Sequence, residues 1–222
     1  MKALKLKICG MRQGDNIRAV EKLRPDLMGF ICWEKSPRFV DITPDYLPQY
    51  SRRTGVFVNP SVSLISAEIA RLGLSLIQLH GHETPEFSLS LRQYLNSISR
   101  QVAIIKAFSV PENGPFPDTT AYETVCDYFL FDTSCHSYGG SGRRFNWSAL
   151  DNYHGRTPFW LSGGIGPDAT DALDAFYHPC CIGIDLNSRF ETSPGLKDIT
   201  TLKAFISELR EKAILTSDKQ TF

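Results

Sequence analysis

Cys9 closes an apolar run and is followed by Gly10. A thiol in that position becomes a base or a nucleophile if its pKa falls from about 8.5 toward neutrality. Its plain alternative is a small core residue. Lys7 lies two residues earlier, so on a strand it shares the face of Cys9. Asp132 ends another apolar run, where a carboxylate is costly without a partner or a task; it could equally cap a loop or helix. Arg38 follows Pro37 in a long polar segment. A guanidinium there can grip a carboxylate with two parallel hydrogen bonds, or simply be a surface arginine. Gly163-Gly164, and Gly183 with the following Asn187-Ser188, suit close approach of backbone N–H groups to an oxyanion, helped by a helix N-terminus. The same glycines also make ordinary turns. His80, His82 and Glu83 look like metal ligands but crowd around Gly81. His80 therefore reads as a ligand-contacting or structural residue, and no metal is expected. Tyr138-Gly-Gly-Ser-Gly142 is flexible enough for a lid, or is a turn without a role.

These residues need a scaffold that collects them, and the apolar pattern supplies one. Short apolar runs occur at 4–9, 27–31, 54–58, 76–79, 103–108, 128–132, 159–162 and 181–185. They are continuously apolar rather than alternating, as parallel strands buried on both faces require. Most are followed by a segment of helical period: Ile17, Val20 and Leu23; Leu64, Ile65, Ile69 and Leu72; Leu91, Tyr94, Leu95 and Ile98; Ala169, Leu173 and Phe176; Leu202, Phe205, Ile206 and Leu209. Eight such units imply an α/β fold, a (β/α)₈ TIM barrel with eight parallel strands, formed as one domain over residues 1–222. The competing open doubly wound sheet is disfavoured because no G-x-G-x-x-G follows the first strand. Residues 110–120 are rich in Pro and Gly and read as an irregular loop with at most a short helix after it. The polar tail from 216 to 222 is expected to fray. In a barrel, the residues singled out above all fall at the C-terminal strand ends or in the loops beyond them, which is where barrels do chemistry.

Composition narrows the function classes. The 222 residues carry 24 Lys+Arg against 24 Asp+Glu, so no basic face for nucleic acid is expected, although a local anion site needs no net charge. Hydrophobic residues make up 42% and charged residues 22%, which excludes disorder, collagen and coiled coil for the whole chain. Six cysteines without C-x-x-C spacing suggest free thiols in a reducing compartment. Lysines interrupt the N-terminal apolar stretch, so no signal peptide is read there, and no run is long enough to span a membrane. The expectation is a cytoplasmic protein with a small-molecule partner.

Taken in order, the strand ends resemble the phosphoribosylanthranilate isomerase family of tryptophan biosynthesis. The matching segments are Lys7-Ile-Cys-Gly10, Gly29-Phe-Ile-Cys-Trp33, Lys35-Ser-Pro-Arg-Phe-Val40, Gly55-Val-Phe-Val-Asn59, Gln78-Leu-His-Gly81, Phe131-Asp-Thr133, Tyr138-Gly-Gly-Ser-Gly142, Ser162-Gly-Gly164 and Glu191-Thr-Ser-Pro-Gly-Leu-Lys-Asp198. Each is short, but the ordered set runs from residue 7 to about 210 and is specific. The resemblance implies a cofactor-free Amadori rearrangement of N-(5′-phosphoribosyl)anthranilate to 1-(2-carboxyphenylamino)-1-deoxyribulose 5-phosphate. It implies Cys9 as general base at C2′ and Asp132 as general acid at the furanose oxygen, both with shifted pKa values. It also implies Arg38 as the anthranilate carboxylate clamp and His80 as a neighbour of the aromatic ring. Gly163, Gly164, Asn187 and Ser188 become phosphate contacts, and Asp185 faces the sugar hydroxyls.

The chain departs from the family pattern in two places. Ser162 precedes the glycine pair where Ala is frequent, and Asn187-Ser-Arg-Phe-Glu191 replaces Ser-Ser-Gly-Val-Glu, which puts Arg189 at a glycine position. Two other readings compete. The related histidine-pathway isomerase would have an acid in place of Cys9. A silent barrel that only binds a phosphorylated ligand would be expected to lack at least one of Cys9, Asp132 and Arg38.

Overall fold

A computed structural model describes residues 3–111, 114–133 and 147–216. Eight strands close into an all-parallel barrel in chain order: β1 (Lys5–Ile8), β2 (Leu27–Ile31), β3 (Arg52–Phe57), β4 (Leu76–Leu79), β5 (Ala103–Val110), β6 (Tyr128–Thr133), β7 (Phe159–Ser162) and β8 (Cys181–Leu186). Each falls on one of the eight apolar runs, its ends shifted by at most two residues. The pleat sorts their side chains into two cores. Leu6 and Ile8 face outward into the large core between sheet and helices, whereas Leu27, Leu76, Ile105, Leu130 and Trp160 fill the lower lumen. The lumen is thus plugged with apolar side chains below a polar mouth, as a barrel of this size requires.

The outer layer is less regular than the helical spacing suggests. It contains α1 (Gly14–Glu21), α2 (Val62–Leu72), α3 (Pro85–Ser97), a short α4 (Thr170–Ala175) and α5 (Ile199–Glu211). Leu23 lies beyond α1, whose buried face is carried by Ile17 and Val20. No helix follows β2: Pro37, Pro44 and Pro48 interrupt residues 32–51, and each proline removes a backbone donor. Among the described residues, the loop after β5 leads only to a 3₁₀ turn at Thr120–Tyr122, and a second such turn spans Ser148–Asn152 before β7. Where helices form, their caps are explicit. Ser61 accepts from the Leu64 N–H at the start of α2, and Gly73 ends it at φ +60°.

Between β8 and α5 a small antiparallel hairpin, β9 (Glu191–Ser193) and β10 (Leu196–Lys197), lies against α1, and the Asn16 side chain pairs with both backbone groups of Lys197. Asp198 then caps α5 through the Thr200 and Thr201 amides. The start of the tail is fixed rather than frayed. Thr216 donates its N–H to the Leu4 carbonyl at 2.9 Å, beside a Leu4–Leu215 bridge. Residues 217–222, and the expected lid at Tyr138-Gly-Gly-Ser-Gly142, lie outside the described residues. Among the described residues, no helix is long and apolar enough to cross a membrane.

Candidate active site

A cavity of about 320 Å³ opens at the C-terminal mouth, and Cys9, His80, Asp132, Asp185, Gly163 and Ser188 are among its walls. Cys9 follows β1 and Asp132 lies on β6, with β7 and β8 between them around the ring, so the thiol and the carboxylate come from well-separated parts of the rim. Ile31, Trp33, Val56 and Val58 give the cavity an apolar wall on the β2–β3 side. A larger cavity, about 590 Å³, opens at the other end among strand beginnings such as Lys5, Leu27 and Arg52. None of the candidate residues reaches it, and barrel chemistry sits at the C-terminal face.

Cys9 is buried, and burial pushes its thiol above the ordinary range, opposed chiefly by the charge of Lys7. The fall toward neutrality expected from the sequence is therefore reversed, because desolvation outweighs the neighbouring cation. The register of β1 and β8 pairs Lys7 with Asp185, and Lys7 Nζ donates to Asp185 Oδ2 at 2.8 Å. Burial pulls the Lys7 pKa down, but Asp185 and Cys9 together carry it above its usual value. Burial holds the Asp185 carboxyl above its usual range against the pull of Lys7. Its Oδ1 is buried and has no hydrogen-bond partner among the described residues. This is an unpartnered acceptor on a residue that lines the cavity.

His80 Nε2 stands 3.6 Å from Asp132 Oδ2, and its Nδ1 meets Gln78 Nε2 at 2.8 Å. With the Gln78 amide donating, Nδ1 accepts and Nε2 carries the ring proton toward Asp132. The neighbouring His82 and Glu83 do other work. Glu83 is buried, accepts from the Asn59 and Gly81 amides, and pairs with Lys106 Nζ at 2.9 Å. The His82 N–H donates to Asn59 Oδ1 at 2.7 Å. Together these contacts brace the loop that presents His80.

Gly163 and Gly164 have φ of +96° and +66°, a left-handed backbone that glycine adopts freely. A Cβ on Gly163 would stand 2.1 Å from the Thr133 carbonyl oxygen and 2.8 Å from Asp132 Oδ1. The two strand ends can touch only with glycine there. The helix N-terminus expected beside this pair is displaced, because α4 begins only at Thr170. An oxyanion at this turn would meet loop backbone rather than a helix dipole. Ser188 and Arg189 line the cavity next to this turn. Arg189 Nη2 is 3.8 Å from exposed Asp168, a loose pair that leaves a cation at this side of the cavity. Asn187 lines the same cavity, with its Oδ1 accepting from Lys197 Nζ at 2.8 Å.

Arg38 reaches back over Gly10, where a Cβ would come within 2.9 Å of Arg38 Cδ and 2.7 Å of Asn187 Oδ1. Its guanidinium is already engaged by a protein carboxylate, with Nη2 at 2.6 Å and Nε at 2.9 Å from Glu191 Oε2. Glu191 and Lys197 were not singled out as site residues from the sequence. Both stand in the hairpin segment that carries the family resemblance.

The model of the N-(5′-phosphoribosyl)anthranilate (PRA) isomerase family matches residues 6–208. The chain belongs to this isomerase family. Among its curated relatives, the N-(5′-phosphoribosyl)anthranilate isomerase of Phocaeicola vulgatus is 47% identical over 207 residues, covering 93% of this chain and 98% of the relative. The solved phosphoribosyl anthranilate isomerase of Thermotoga maritima superposes with a TM-score of 0.70 at 28% identity, covering 94% of this chain and 99% of that one. Another solved member of the family, in complex with reduced 1-(o-carboxyphenylamino)-1-deoxyribulose 5-phosphate, is 25% identical with a TM-score of 0.68, and covers 94% and 99% of the two chains.

Proposed function

We infer that this chain isomerises N-(5′-phosphoribosyl)anthranilate in tryptophan biosynthesis, the activity of its family, and that Cys9 and Asp132 carry the proton transfers. The observation that carries the assignment is their placement on separate sides of one mouth cavity that also has an apolar wall and the glycine turn. Such a cavity matches a substrate with an aromatic acid at one end and a phosphate at the other.

Asp132 donates a proton to the furanose ring oxygen, the C1′–O bond breaks, and the nitrogen lone pair forms the iminium. The Cys9 thiolate then takes the C2′ proton, and the electron pair of that bond moves to give the enolamine. Transfer of a proton from the C2′ hydroxyl to C1′ completes the ketone. Return of the proton from Cys9 to Asp132 through solvent resets both groups. Because burial holds the thiol high, the thiolate is a minor species near neutrality, but it is a strong base, and the charge of Lys7 supports it. Asp185 Oδ1 accepts from a ribose hydroxyl. The Gly163-Gly164 turn, Asn187 and Ser188 take the phosphate, with the Arg189 cation beside them. Ile31, Trp33 and His80 flank the ring, and Arg38 grips its carboxylate.

The direct test is conversion of freshly made phosphoribosylanthranilate by purified protein in the presence of a chelator, followed by loss of anthranilate fluorescence. Turnover that survives the chelator is expected; its absence would overturn the assignment.

A further inference from the structure

Glu191 and Lys197 stand directly opposite each other in the β9–β10 hairpin. Lys197 Nζ donates to Glu191 Oε1 at 2.6 Å, and its side chain is fully buried while Glu191 is 4% exposed. From the other side Arg38 closes on the same carboxylate, with Nε at 3.0 Å from Oε1 and Nη2 at 2.6 Å from Oε2. Lys197 also holds the Asn187 side chain, which ties the cluster to the turn after β8. Hydrogen bonds from Arg38 and Lys197 outweigh burial and keep the Glu191 carboxyl below its ordinary range.

A guanidinium offers two edges to carboxylates. The side edge of Arg38, Nε with Nη2, is taken by Glu191. The end edge, which contains Nη1, makes no hydrogen bond among the described residues. Two cations around one anion leave a single positive charge, the complement of one substrate carboxylate. If the Glu191 charge were removed, Arg38 and Lys197 would repel each other. Lys197 is enclosed, so Arg38, whose side chain is 19% exposed, would be the one to swing away.

We propose that Glu191 and Lys197 are positioning residues that aim the free edge of Arg38 and thereby set the enzyme's preference for an ortho-carboxylate on the aromatic ring. This rests on reading Arg38 as the carboxylate clamp. The contact is built from positions 153 residues apart in sequence, and it fixes in place a guanidinium that a loop alone would leave free to move.

The test compares two inhibitors: the reaction product, and the same compound made from aniline, which lacks the carboxyl group. The ratio of their inhibition constants isolates the carboxylate, because loss of fold weakens both compounds alike. In the unaltered protein the ratio should be large, and Arg38→Ala should abolish it. Glu191→Gln should lower it about tenfold, roughly one charge-assisted hydrogen bond. Lys197→Met, which leaves Arg38 and Glu191 as a neutral pair, should lower it several-fold. A ratio near one in the unaltered protein would sink the clamp reading itself. A large ratio that Arg38→Ala removes but neither other variant changes would overturn the positioning role and leave the clamp standing. A ratio that rises in Glu191→Gln would also overturn it, since Glu191 would then be competing with the substrate.

Discussion

Replacing Lys7 with methionine removes the cation that lies between Asp185 and Cys9. The side chains of the Lys7–Asp185 pair are 0% and 6% exposed, so the small values typical of surface ion pairs do not apply. Breaking a pair this deep strands a charge and costs about 3–5 kcal/mol, out of a typical total of about 5–15 kcal/mol. Protonation of Asp185 relieves part of that cost. Its folded pKa already lies above its usual value through burial, and loss of Lys7 raises it further. A group of this kind contributes stability below its unfolded pKa, about 3.9, and loses it as pH rises through the folded pKa. The deficit of Lys7→Met should therefore be small in acid and grow toward neutrality. Lys7→Met combined with Asp185→Asn should recover most of the stability, because the stranded carboxylate is gone. It should not recover kcat/KM, because the support for the Cys9 thiolate is also gone. Urea unfolding across this pH range, with the anthranilate fluorescence assay, measures both. Additive stability losses, with coupling under about 0.5 kcal/mol, would refute the pairing argument.

Gly163→Ala should cost both stability and rate. The added methyl meets backbone that cannot yield and pushes at Asp132, and a misplacement of about 1 Å is worth about 100-fold in rate, so a soluble variant with normal kcat would contradict the close approach of β6 and β7. Arg189→Ala should raise KM several-fold with little change in kcat, and should flatten the salt dependence of kcat/KM; equal KM values at low and high salt in both proteins would remove Arg189 from the phosphate site. The rate profile should be bell-shaped, since Asp132 must hold a proton while Cys9 must have lost one, and its alkaline limb should lie above the ordinary thiol range because burial pushes the Cys9 thiol up; a rate already falling between about pH 7 and 8 would be the contrary result.

The strands were legible because burial on both faces leaves continuous apolar runs, and the ends of those runs brought Cys9, Asp132, His80 and the Gly163-Gly164 turn to one rim. The missing helix after β2 was legible only in hindsight, in the prolines at 37, 44 and 48. Long-range pairing was not legible. Arg38 and Glu191 are separated by 153 positions, and Lys7 and Asp185 by 178. Nothing local in either segment encodes its partner; closure of the ring between β1 and β8 makes the second pair, and the hairpin makes the first. The direction of the Cys9 shift was missed for a related reason. The sequence displays the neighbouring lysine, but the extent of desolvation is a property of the closed barrel.

Single-turnover kinetics with substrate deuterated at C2′ test the assignment of Cys9 most directly. The unaltered protein should show a primary isotope effect on the loss of fluorescence, and Cys9→Ala should slow that step by about 10²–10⁴-fold. A Cys9→Ala protein that turns over at the unaltered rate, with the isotope effect intact, would show that another group removes the C2′ proton.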